Sequence, residues 1–125
     1  MTMAKLEISI LDMVSGQMAE GVEVQLRKVV NGDWQQLPDA KTAKGGHAVL
    51  CAGADLDGGG YFEVLVFLGK YFDQRGYGLP QIKLVDIVPL RFGIESGSAD
   101  INIRMTSSTK GYNAGFATEP AHAEA

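Results

Sequence analysis

The sequence has little of the chemistry from which most sites are built. Its 125 residues include one cysteine, Cys51, so no internal disulfide can form, and the chain fits a reducing compartment. There are two histidines, His47 and His122, and no Cys/His spacing of the kind that holds zinc, so neither a metal nor a cofactor is expected. Long apolar runs are missing as well. No secretory leader or membrane span is read, and a cytoplasmic protein is the default expectation. Basic excess is also lacking. Eleven Lys and Arg against fifteen Asp and Glu give a formal charge of −4, which argues against a nucleic-acid partner. The glycine run Gly58-Gly59-Gly60 lacks the lysine and the following helix of a phosphate loop. Cys51 lies in the apolar run Val49-Leu50-Cys51-Ala52 and reads as an inert buried thiol.

The apolar share of 46% is enough for a packed interior, and sixteen glycines point to a chain with many turns. Alternation supplies the strands. Leu6, Ile8 and Ile10 alternate with Lys5, Glu7 and Ser9, which gives one buried and one polar face. Asp12 to Gly16 reads as a turn. Val22, Val24 and Leu26 then point inward, against Glu23, Gln25 and Arg27. Asn31-Gly32 is a hairpin signal because both residues tolerate positive φ, with Trp34 to Leu37 as the return strand. His47 to Cys51 and Tyr61 to Phe67 are further strands. Leu68 to Gly76 breaks the alternation and reads as a short helix ending near Gly76, with Tyr71 and Phe72 anchoring it and Pro80 blocking its continuation. Ile82 to Ile94 reads as a long strand in which Pro89 marks an edge or a bulge. Ile101, Ile103 and Met105 alternate with Asp100, Asn102, Arg104 and Thr106 in the last run. The expectation is an all-β antiparallel sandwich with one short helix over residues 1–116, followed by a disordered tail over 117–125.

Some of these segments carry a family pattern. Ile10-Leu11-Asp12, Ser15-Gly16 and Gly21-Val22 with Val24 resemble the opening of transthyretin and the 5-hydroxyisourate hydrolases. Tyr71-Phe72 with Arg75-Gly76 is similar to that family's only helix, and Pro80-Gln81-Ile82 followed by Val88 to Ile94 resembles its long strand. The resemblance covers roughly residues 6 to 115. It implies a transthyretin-like (prealbumin-like) sandwich, assembled as a homotetramer, a dimer of dimers, with sites in a channel between the dimers. It also implies chemistry of the purine-catabolism kind, in which two histidines, an arginine and a C-terminal Tyr-Arg-Gly-Ser open a cyclic ureide.

The chain departs from the family at each of those places. Ser9 stands where the first histidine aligns, His47 where the arginine does, and Asp100 where the late histidine does. Asn113-Ala114-Gly115-Phe116 replaces the terminal motif, or Tyr112 takes its tyrosine position. Ring hydrolysis needs a positioned water, a base and a donor for the developing oxyanion. Hydrolysis of 5-hydroxyisourate is therefore expected to be weak or absent. The replacements still suggest a rebuilt pocket, with His47 as base, Asp100 orienting it, Ser9 as the third catalytic candidate, a nucleophile only if a histidine is oriented toward it, and Arg104, Asn102 and Tyr112 contacting substrate. A solvated polar face is the plainer reading of the same residues, and a turn residue is the plainer reading of His47 beside two glycines. Three functions stay open: an enzyme on a small heterocycle, a non-catalytic small-ligand carrier, and an accessory module whose tail docks on another protein.

Overall fold

The structure is a computed structural model that describes residues 4–95 and 99–120. The strands are β1 (Lys5–Asp12), β2 (Gln17–Met18), β3 (Glu23–Val30), β4 (Asp33–Gln36), β5 (Ala40–Lys41), β6 (His47–Ala52), β7 (Gly60–Phe67), β8 (Ile87–Ile94), β9 (Ala99–Ser107) and β10 (Tyr112–Pro120). Two helices interrupt them, α1 (Ala54–Asp57) and α2 (Leu68–Gln74). Two five-stranded sheets result. The first runs β10-β9-β1, with β6 and β2 sharing the far edge of β1; the second runs β4-β3-β7-β8, with β5 beside β4 on β3. All pairs are antiparallel except β1 with β9, which is parallel.

The sandwich follows from the alternation. Leu6, Ile8, Ile10, Ile103 and Met105 of the first sheet meet Val22, Val24, Leu26, Phe62, Val64 and Val66 of the second, all of them buried. Each such side chain removed from water contributes roughly 1.5–3 kcal/mol. The hairpin at Asn31-Gly32 forms with positive φ at both residues (52° and 84°), the geometry that matches the twist of the flanking strands. Helix α2 buries Leu68, Gly69, Tyr71 and Phe72. Gly76 follows it at φ 77°, a left-handed stop.

The structure differs from the sequence expectation in three places. The strand expected from Ile82 starts at Ile87. The Asp86 carbonyl accepts from the N–H groups of Leu68 and Gly69, at 3.1 Å each, so the preceding residues are held as a loop that satisfies the start of α2. Pro89 does sit on an edge strand. A second helix, the single turn α1, fills the bend before Gly58. Strand β10 runs to Pro120, past the residue where the tail was expected to begin, because β9 offers ladder partners as far as Ala99. Residues 121–125, with His122, lie outside the described residues.

Asp12 fastens one end of the sandwich. Its buried carboxylate accepts from the hydroxyls of Tyr71 (2.9 Å) and Tyr77 (2.8 Å) through Oδ2, and from the N–H groups of Val14 (2.8 Å) and Ser15 (3.3 Å) through Oδ1. Burial alone raises the Asp12 pKa, but the two tyrosine hydroxyls and two backbone donors outweigh it and hold the carboxyl below its ordinary 3.8. Burial and the bond to Asp12 together push the Tyr71 hydroxyl up to about 12.

A folded-state pKa below the unfolded one contributes stability that is present above the unfolded value and is lost as pH falls through the folded value. Asp12→Asn is expected to cost about 2 kcal/mol at neutral pH, because the carboxamide brings a donor against donors. It is also expected to flatten the acid limb of the stability profile. Chemical denaturation at neutral pH and at several acid pH values measures both. A variant as stable as wild type at neutral pH contradicts this role for Asp12.

Candidate functional site

Strand parity puts the polar members of β1, β6, β9 and β10 on the outer face of the first sheet. Ser9 lies directly between His47 on β6 and Arg104 on β9, with Gly115 of β10 beyond Arg104. One step along the strands the row is Val49, Glu7, Asn102, Ala117. A register shift in the β1–β6 ladder between Leu6 and Glu7 lets Leu50 and Cys51 both turn inward, while His47 and Val49 face out. Burial pushes the Cys51 thiol up to about 11, which fits the inert thiol read from sequence.

His47 is held by Glu7, its diagonal neighbour on β1: Nε2 lies 3.1 Å from Oε1, with the imidazole half exposed and the carboxylate largely covered. Lys5 Nζ reaches the same oxygen at 3.1 Å, and the hydrogen bond and charge of Glu7 raise the Lys5 pKa. Glu7 is thus the carboxylate that faces the His47 imidazole. The Ser9 hydroxyl makes a long bond of 3.4 Å to Asn102 Oδ1. Arg104 has no carboxylate within 4.0 Å among the described residues.

A hollow of about 360 Å³ opens over the Ser9–Arg104–Gly115 part of this row, lined also by Leu11, Met18 and Asn113, with His47 outside its lining. Leu11 and Met18 pair with each other and give it an apolar wall. A smaller hollow of about 70 Å³ adjoins it on the other side of Arg104, among Glu7, Asp100, Asn102, Ala117 and Glu119. Among the described residues no group of three or more His, Cys, Asp and Glu stands close enough to hold a metal ion.

The structure thus brings Ser9, His47, Asn102 and Arg104 together. It does not place the other two expected residues with them. Asp100 shares the face but lies four residues along β9 from Arg104, ~13 Å at strand spacing. It accepts the backbone N–H of Lys5 at 3.0 Å. The carboxylate next to His47 is instead Glu7, at 3.1 Å. Tyr112 pairs with Ser107, whose side chain is buried, so by parity it leaves on the opposite side of the sheet from Arg104. Alternation had already set Glu7 on the Ser9 face. Its link to His47 needed the β1–β6 register, which no local pattern carries.

Over residues 6–114 the sequence matches the model of the HIUase/Transthyretin family. The chain belongs to that family. It is 28% identical over 115 residues to the 5-hydroxyisourate hydrolase of Ralstonia nicotianae, covering 89% of this chain and 96% of that one. It is 30% identical over 111 residues to the enzyme of the same name from Caulobacter vibrioides, with the same coverage of 89% and 96%. Sea bream transthyretin, solved in complex with thyroxine, superposes with a TM-score of 0.81 at 19% identity, covering 96% of this chain and 100% of that one. At that identity the superposition speaks for the fold alone, the transthyretin-like sandwich.

Gly115 sets the volume of the hollow, since a Cβ there would meet nothing within 4 Å. Gly115→Leu is expected to fill the space above Arg104 at little cost to the fold, within about 0.5 kcal/mol. The check is a thermal melt together with a crystal structure of the variant. A melt shifted by many degrees, or a hollow left open, contradicts the assignment.

Proposed function

We propose that this chain is a divergent relative of the 5-hydroxyisourate hydrolases that hydrolyses a small polar heterocycle, a ureide, lactam or lactone, and turns over 5-hydroxyisourate weakly or not at all. The His47–Glu7 pair, across Ser9 from Arg104 on the same sheet face, carries the reading. Named relatives supply the hydrolase class, and the fold superposes on a transthyretin. The substitutions supply the change of substrate. The single cysteine and the absence of a long apolar helix among the described residues suit a cytoplasmic protein, and assembly as a dimer of dimers would enclose the face in a channel.

In this reading His47 Nδ1 takes a proton from a water as the water oxygen attacks the ring carbonyl. Glu7 stabilises the imidazolium that forms. Arg104 and the amide of Asn102 lie on the side where the oxyanion develops. Collapse of the tetrahedral centre breaks the ring bond, and the leaving nitrogen or oxygen takes the proton back from His47. Ser9 orients the substrate through its hydroxyl, and its bond to Asn102 rather than to His47 speaks against a serine nucleophile.

A panel of ureides, lactams and lactones tests this. His47→Ala is expected to lower turnover by about 10²–10⁴-fold, and Glu7→Gln to lower kcat without changing KM. An inactive wild-type protein, or 5-hydroxyisourate decaying far faster with protein than in buffer, overturns the reading. The apolar wall of Leu11 and Met18 favours a second one, a carrier of small amphipathic acids. Ligand-induced thermal stabilisation with the ligand recovered intact distinguishes a carrier from an enzyme.

A further inference from the structure

We infer that Met18 is a peroxide-sensitive site: its conversion to the sulfoxide makes the apolar wall of the larger hollow polar and weakens the binding of ligands with an apolar face. The inference rests on the site location proposed above and adds its regulation.

Three methionines lie among the described residues, and their surroundings differ. Met105 is 2% exposed and belongs to the core. Met13, at 57%, and Met18, at 43%, are open to solvent. Met13 stands outside the lining of the hollow, and Met18 is part of it. Met18 pairs with Leu11 across the β1–β2 ladder, so both side chains share the Ser9 face, ~7 Å farther along β1. Together they form the apolar wall. The lone cysteine does not compete for oxidant: Cys51 is buried and its thiol is pushed up to about 11.

The backbone under the Met18 thioether is fixed. The Ala19 N–H donates to the Ile10 carbonyl and the Ile10 N–H to the Gly46 carbonyl, at 2.8 Å each. Gly46 lies so close that a Cβ there would come within 2.9 Å of the Met18 Cβ. A polar group placed on the Met18 sulfur is therefore not relieved by withdrawal of the segment, and it stays beside the hollow.

Hydrogen peroxide supplies the oxidant. The sulfur lone pair attacks one peroxide oxygen, the S–O bond forms as the O–O bond breaks, and the proton on the attacked oxygen passes to the departing one, which leaves as water. Sulfur loses the two electrons that peroxide gains. The product is a polar, chiral sulfoxide, which methionine sulfoxide reductases return to the thioether. An apolar ligand face laid over that oxygen leaves an acceptor without a donor.

The test treats wild type, Met13→Leu and Met18→Leu with hydrogen peroxide in the folded state. Peptide mass mapping of wild type is expected to find added oxygen on Met13 and Met18 and none on Met105. Each protein is then titrated with anilinonaphthalene sulfonate, read by NMR at the amides of Ser9, Arg104 and Gly115. Oxidation is expected to weaken binding at least tenfold in wild type and in Met13→Leu. Met18→Leu keeps the wall and is expected to bind equally before and after peroxide. Met18→Gln, without peroxide, is expected to bind as weakly as oxidised wild type and to melt with it. Met18 unmodified where Met13 is oxidised, binding unchanged by oxidation, sensitivity that survives in Met18→Leu, or a probe that leaves those three amides unmoved overturns the inference. None of these readouts needs turnover. A protein inactive on every ring of the panel removes the enzyme and leaves the Met18 site standing, whereas turnover by fully oxidised protein equal to that of untreated protein removes the regulation and keeps the enzyme.

Discussion

The Asp12 carboxylate is the contact on which one whole end of the molecule depends. It lies at the last residue of β1, the central strand of the first sheet, and two tyrosines from separate places reach it, one on α2 and one just beyond. The next residue, Met13, donates its N–H to the Ser107 carbonyl at 2.8 Å and so ties the same corner to β9. Phe72 packs between the two tyrosines, with ring centroids 5.3 and 5.6 Å away. A buried carboxylate without donors would cost several kcal/mol; with four, it fixes the helix, the turn and the strand end in one geometry.

That fixed corner serves the outer face. Strand β1 carries Glu7 and Ser9 on one side and Leu6, Ile8 and Ile10 on the other, so anchoring its end sets the depth and register of the polar row. The parallel pairing with β9 then brings Arg104 beside Ser9 and Asn102 beside Glu7. The irregularity in the β6 ladder keeps His47 outward while two successive residues, Leu50 and Cys51, turn into the core. The hydrophobic core and the polar row are two sides of one alternation. The same sequence period that stabilises the sandwich therefore places the chemistry.

This division explains what the sequence disclosed. Strand faces were legible because period two is local: Ser9, Asn102 and Arg104 could be assigned to polar faces from their neighbours. The sandwich, the turn at Asp12 and the helix with Tyr71 and Phe72 were legible as a family pattern. Pairings were not legible. Asp100 was expected beside His47, and the register separates them by four residues of β9. Tyr112 was expected at the pocket, and its pairing with Ser107 sends it to the other side. The end of β10 was hidden because a polar, alanine-rich stretch shows no strand signal until β9 supplies hydrogen-bond partners.

The central claim is that the working surface of this family member is the outer face of the first sheet, rebuilt around His47, Glu7 and Arg104. A titration of labelled protein with the panel of ureides, lactams and lactones, followed by backbone amide and methionine-methyl NMR, tests this most directly. The claim predicts shifts concentrated at Ser9, Arg104 and Gly115 and at the Met18 methyl, with the amides of β3 and β7 unmoved. Shifts confined to the second sheet, or none at saturating ligand, would contradict it.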